Sequence, residues 1–445
     1  MRLFHAATVS AFALAAALSA APAWADDAAT VQAIEAEYDN YLAPLFVDFH
    51  QNPELSFLES RTAAKMAAEL RAAGVAVTEG VGGTGVVGIL KNGDGPLILL
   101  RADMDGLPVE EKSGLDYASK AEQVAQDGET YSVMHACGHD VHITAMIGTA
   151  RRLMAMKDEW SGTIMFVVQP AEELVAGARA MMEDGLYDRF GKPDYALALH
   201  VSSQLATGKV TAAEGTQYSG SSAVTLTVPG VATHGASPHL GRDPVYIAAQ
   251  IITALQSIDS REVSPLKPMV VTVGAMHAGT RGNIIPDNAV LELTVRANDE
   301  DTRAQTLAAI ERIAVNIGKA HGLPDDLPVQ MEITGGTPVT ANDPELARRL
   351  NAVMQRELGA EAFEPFEQKG MGAEDFAYFV AAEHGVPGYY FGVGGTPQAD
   401  LDAAENGGPA VAGHHSPLFK IAPRESVVLG TRAMVAAVLD LAPPK

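Results

Sequence analysis

The chain has 445 residues, a formal net charge of −24 and a single cysteine. So acidic a surface argues against nucleic acid or an anionic membrane as partners, and one cysteine excludes an internal disulfide framework. The length exceeds what one hydrophobic core usually organises, so two domains are expected.

The N-terminus reads as an export signal. Arg2 precedes an apolar, alanine-rich run that ends in Ala23-Trp24-Ala25, a small-x-small cleavage pattern. Residues 1–25 are expected to be removed after Ala25, leaving the mature protein soluble in a periplasm or outside the cell. A retained anchor is the alternative, and the run is short for a membrane span.

A helical stretch, TVQAIEAEYDNYLAPLFVDFHQ, comes next, then a second, ESRTAAKMAAELRAAG, closed by Gly74. The pattern then changes to short continuous apolar runs: PLILL (96–100), GTIMFVVQ (162–169) and YALAL (195–199). Runs of this kind are strands buried on both faces. Between them, HITAMIGTARRLMAMK sets Ile143, Met146, Ile147, Ala150, Leu153 and Met154 on one stripe at helical spacing. Strands alternating with helices predict an α/β domain around a largely parallel central sheet.

From about residue 218 the strands alternate instead. Val224, Leu226 and Val228 share a face, as do Leu291, Leu293 and Val295, and Val329, Met331 and Ile333. The order is strand, helix (243–258), strand (269–275), strand (289–297), helix (301–320), strand (328–333), which is the βαββαβ ferredoxin-like order. Because α/β material resumes afterwards, the smaller unit is read as an insertion: a catalytic domain over 26–217 and 336–445, with a satellite domain over 218–335.

Each of the three buried runs stops in residues able to hold a metal: the first in Asp103 and Asp105, the second in Glu172-Glu173, the third at His200. Ligands of open α/β sheets bind outside the carboxyl ends of the strands, so three such ends can build one site. The stretch MHACGHDVH (134–142) adds Cys137 and His139 at the start of the following helix, where the dipole favours a thiolate. Thiolate, imidazole and carboxylate together suit Zn²⁺, with Mn²⁺, Co²⁺ or Ni²⁺ as further choices. Cys137 as a nucleophile, or as an inert buried thiol, are the competing readings.

The sequence resembles the M20 metallopeptidase superfamily, most closely its amidohydrolase branch of hippurate, N-acyl-amino-acid and indole-acetyl-amino-acid hydrolases. The matching stretches are NPELSF (52–57), RADMDGLPVEE (101–111), MHACGHDVH (134–142), QPAEE (169–173), LHV (199–201), THGASPHLGRDP (233–244), GTRGNIIPDNAVLELTVR (279–296), GAEDFAYF (372–379) and HHSPLF (414–419). The resemblance implies one or two metal ions on Cys137, His139, Glu173, His200 and His415, with His414 as runner-up to His415. It implies Glu172 as general base and acid, Asp105 as an orienting residue, and His234 as oxyanion stabiliser across a homodimer interface. It assigns Asn283 and Arg296 to the substrate carboxylate; the alternation independently puts Arg296 on the polar face of its strand. His135 and His142 stay outside this set.

The chain departs from the branch at Leu174 and Val175, where glycines are usual, at Val141, and in lacking a second histidine before Asn52. The bulk at 174 and 175 is expected to narrow the pocket beside the base. The reading is a secreted metal-dependent amidohydrolase of N-acyl amino acids or related amides. A dipeptidase or carboxypeptidase of the same superfamily is the near alternative, and a silent periplasmic peptide- or metal-binding protein the distant one.

Overall fold

A computed structural model describes residues 28–444; the expected signal segment and its cleavage after Ala25 lie outside the described residues. No helix among the described residues is long and apolar enough to cross a membrane.

Among the elements before the insertion are strands β1 (Ala76–Val81), β2 (Gly85–Asn92), β3 (Leu97–Asp103), β4 (Gly162–Gln169), β5 (Tyr195–Ala206) and β6 (Val210–Ala212), and helices α1 (Ala43–Gln51), α2 (Ser60–Ala72) and α3 (His139–Ala155). The inserted unit holds β7 (Gly220–Pro229), α4 (Pro244–Ser257), β8 (Met269–Ala278), β9 (Asn288–Ala297), α5 (Glu300–Ala320) and β10 (Gln330–Thr337). After it come α6 (Pro344–Leu358), β11 (Phe363–Pro365), β12 (Gly388–Thr396) and α7 (Pro423–Leu441).

The central sheet runs β1-β2-β4-β3-β5-β12-β6-β11, and its middle strands β4, β3, β5 and β12 are mutually parallel. Alternate residues of one strand enter different cores. Ile98, Leu100 and Ala102 join the large cluster beneath α1, α2, α3 and α7, whereas Leu99 joins the cluster on the opposite face with Met181 and Phe376. Apolar residues are needed on both sides, which is why these strands read as unbroken apolar runs. Helix α3 is sealed on nearly every side from His139 to Ala150, so the stripe read from the sequence covers only part of its buried surface.

The second sheet has the order β8-β9-β7-β10, all antiparallel, with α4 and α5 covering one face. Val224, Leu226, Val228, Leu291 and Val295 are buried there, as the alternation predicts. Ile333 is not: it is 52 % exposed, on the edge strand β10 where the ladder to β7 shifts register just beyond it. The insertion leaves and re-enters through two paired segments, Thr216–Tyr218 against Thr340–Ala341.

Candidate active site and metal centre

Two parallel strand ends, the middle of a third parallel strand and one helix start converge. Strand β3 runs out at Asp103 and continues to Asp105. Strand β4 ends at Gln169, and the chain then turns sharply through Ala171 (φ +49) and Val175 (φ +53), both left-handed. That turn holds Glu172 and Glu173, whose N–H groups each donate to the Asp105 carboxylate at 3.1 Å. Gly177 is required beneath it, since a Cβ there would stand 1.5 Å from the Pro170 carbonyl oxygen.

His200 lies inside β5 rather than at its end, because β5 continues to Ala206. It lies beyond the β3 pairing, which stops at Ala198, and opposite Gly392 of β12. Gly138 opens α3 with φ +87, and a Cβ there would meet Val201 at 2.4 Å. Only glycine lets Cys137 and His139 approach β5 so closely.

Hydrogen-bond partners decide which ring nitrogens keep a free lone pair. His139 Nδ1 donates to the Asp105 carbonyl (2.8 Å), and its Nε2 makes no hydrogen bond to a described residue. That nitrogen and Glu173 Oε1 stand 3.9 Å apart, both buried and both without a hydrogen-bond partner among the described residues. His200 Nδ1 donates to the Val201 carbonyl (2.7 Å), leaving Nε2 3.4 Å from the Cys137 sulfur. His415 Nε2 approaches Glu173 Oε2 at 3.3 Å, its backbone left-handed (φ +66) and tied to the Ala136 carbonyl. His414 also faces the Cys137 sulfur (Nδ1, 3.8 Å), but its Nε2 accepts from Ser203 N–H (3.4 Å), which leaves the proton on Nδ1. His142 is fully engaged: Nδ1 on Asp103 (2.5 Å) and Nε2 on Val201 N–H (2.9 Å).

Orphaned, mutually facing imidazole and carboxylate atoms beside a sulfur form a cradle that a soft or borderline divalent cation fits. One expectation needs correcting. Burial, and then the Glu173 carboxylate, push the Cys137 thiol up rather than down, against the expectation from its place at a helix start. A thiolate here needs a cation beside it.

The protein-family model for peptidase family M20/M25/M40 matches residues 99–407. The chain belongs to that family. It is 38 % identical over 331 residues to a hippurate hydrolase of Campylobacter jejuni, covering 74 % of this chain and 82 % of that protein. It is 35 % identical over 362 residues to thermostable carboxypeptidase 2 of Saccharolobus solfataricus, covering 80 % and 86 %. A dinuclear metal-binding M20 peptidase from Bacillus subtilis superposes with a TM-score of 0.72 at 26 % identity, over 92 % of this chain and 98 % of that one. The protein is thus an M20 hydrolase of amide or peptide bonds.

The M20 site opens into a cavity of about 700 Å³ whose walls include Cys137, Glu172, Glu173, His200, Arg296 and His415. His139 and Asp105 stand directly behind. The Glu172 carboxylate makes no hydrogen bond to a described residue; burial, then Glu374 and Asp375, hold its pKa well above the carboxylate range. Arg296 is half-buried and without an ion pair among the described residues. Val175 lines the cavity, as its bulk suggested, but Leu174 is 59 % exposed and narrows nothing. His234 and Asn283 sit together on a small ladder of the satellite (His234 opposite Ile284), both exposed and both away from this cavity.

Sequence reasoning missed the charge network beneath the site. Arg101, fully buried, bonds Asp103 (2.6 Å), Glu374 (2.7 Å) and Gln169 (2.8 Å), with Asp375 at 3.3 Å. An acid pair in GAEDF looks like any solvated pair; only the buried cation opposite reveals its role.

Proposed function

We propose that this M20 protein is a secreted hydrolase of N-acyl amino acids, using one or two divalent ions, with zinc favoured and manganese, cobalt or nickel as further choices. Cys137, His139, Glu173, His200 and His415 would hold the ions, and bound metal would supply Lewis-acid polarisation of the scissile carbonyl and a more acidic water. The observation that carries the reading is Glu172: a buried carboxylate, opening on the same cavity as the donor atoms and the Arg296 guanidinium, both of them without a polar partner among the described residues.

In this reading Arg296 grips the substrate's free carboxylate, which an acidic protein otherwise repels. Glu172 takes a proton from the attacking water and returns it to the leaving nitrogen. Asp105 fixes the turn that carries Glu172 and the ring that carries His139. His234 and Asn283 stand outside this cavity; the proposal has a second copy bring them to the substrate, in a homodimer through the satellite. The carboxypeptidase likeness keeps dipeptides and peptide C-termini as the second substrate class.

The test is turnover of N-acetyl and N-benzoyl amino acids beside unmodified dipeptides, with metal content measured on the same protein. Glu172→Gln should keep its metal and lose at least about 100-fold in kcat. Unchanged hydrolysis by that variant would rule out the assigned mechanism.

A further inference from the structure

Tyr218 was assigned no role by the sequence reading, yet it stands in the wall of the same cavity as Glu172, Cys137 and Glu374. It ends the outward crossing to the satellite, where its backbone pairs with Thr340 and the next residue's N–H bonds the Gly372 carbonyl (2.8 Å). Its ring meets Tyr390 edge to face, 5.3 Å between centroids at 82°. Tyr390 is itself fixed, its hydroxyl donating to Glu374 at 2.6 Å. On the other side lies Gly372, where even a Cβ would come within 3.6 Å of the ring. The phenol is therefore clamped, not swinging.

Its hydroxyl differs from those of its neighbours. Tyr187, Tyr378, Tyr389 and Tyr390 each spend theirs on a protein acceptor. The Tyr218 hydroxyl bonds to no described residue, nor is it among the sealed polar atoms that lack partners; it opens onto the cavity. Burial, and after it the Glu374 carboxylate, keep the phenol protonated well above its ordinary range, so it acts as a hydrogen-bond donor.

We propose that Tyr218 is a catalytic hydrogen-bond donor that binds, from within the same subunit, the oxyanion developing on the attacked amide carbonyl. This rests on the amide-hydrolase reading above. Water oxygen bonds to the carbonyl carbon while the C=O π pair moves onto oxygen. The Tyr218 O–H donates a hydrogen bond to that oxygen and keeps its proton. On collapse the C=O re-forms, the C–N bond breaks, and the nitrogen leaves with the proton Glu172 took from water. A preorganised donor of this kind contributes most where charge appears, and little to the ground state.

The experiment compares metal-loaded wild type with Tyr218→Phe, which keeps the ring and its packing. Kinetics on an N-acyl amino acid are joined to calorimetric binding of a phosphinate mimic of the tetrahedral intermediate and of the planar carboxylic-acid product. The expected result is a kcat lower by about 10- to 100-fold with KM within about twofold. Phosphinate affinity should fall by a similar factor while product affinity holds. Equal kcat and equal phosphinate affinity in the two proteins would overturn the proposal, as would equal weakening of phosphinate and product, the mark of a mere wall. Were the wild type to hydrolyse no acyl amino acid, the functional reading would fail separately. The phosphinate-to-product ratio would then still decide for or against Tyr218, and a phosphinate that the wild type does not bind would count against it.

Discussion

His50 shows how this chain spends buried charge. Its ring is nearly sealed, bonded through Nδ1 to Asp140 (2.7 Å) and through Nε2 to Glu111 (3.2 Å). Burial opposes the imidazolium, but the Asp140 and Glu111 hydrogen bonds outweigh it and push the pKa up to about 9. A folded pKa above the unfolded value means stability that is fully present below about pH 6.5 and lost as pH rises through about 9. Wild type should therefore lose on the order of 3 kcal/mol relative to His50→Gln across that window. Urea titrations of both proteins at pH 6 and pH 10 measure it; a pH-independent difference would contradict the assignment. At this scale the sequence announced donor chemistry well, since cysteine, histidine and paired glutamates at strand ends are rare together. It was silent on pairing: nothing in HACGHDVH says that His142 would be consumed by Asp103 and the Val201 N–H while His139 Nε2 meets no hydrogen-bond partner among the described residues. Those fates depend on backbone groups of β3 and β5, which local spacing does not encode.

Among the elements, the turn after β4 carries the most function per residue. Two left-handed non-glycine residues, Ala171 and Val175, bracket Glu172 and Glu173, and such conformations persist only where surrounding contacts enforce them. Gly177 supplies part of that enforcement. Gly177→Ala should lower stability by at least about 1–3 kcal/mol and depress activity, because its methyl group must displace the Pro170 carbonyl. Gly370→Ala, with no neighbour within 4 Å of the new atom, is the control. Denaturation midpoints and turnover of the two variants make the comparison, and a fully stable, active Gly177→Ala would refute the packing argument. Element types were largely legible: apolar runs gave the buried parallel strands, and alternation gave the satellite. Ends and registers were not, as His200 within β5 and the outward Ile333 illustrate, because pairing partners more than a hundred residues away set them.

For the molecule as a whole, the separation of His234 and Asn283 from the cavity has a direct test. Their ladder partner Ile284 (49 % exposed) and nearby Leu240 (67 %) leave apolar surface around them, as a contact face between copies requires. Glu172→Gln and His234→Ala should each be nearly inactive alone. After subunit exchange in equal amounts, about a quarter of wild-type activity should return, since half the dimers are mixed and each restores one of two sites. No recovery, with a monomeric mass in solution, would exclude the shared site.

The Arg101 hub also sets a timetable. Its partner Asp375 lies 274 residues further along the chain, and β12, which completes the middle of the sheet beside β5, comes later still. Until residue 375 has followed, that guanidinium stays only partly neutralised. The catalytic unit cannot lock until the satellite has been made, whereas the satellite has its whole core in hand from β7 to β10. A chain delivered from its N-terminus, whether from a ribosome or across a membrane, therefore has an inserted unit free to fold first and an active site that closes last.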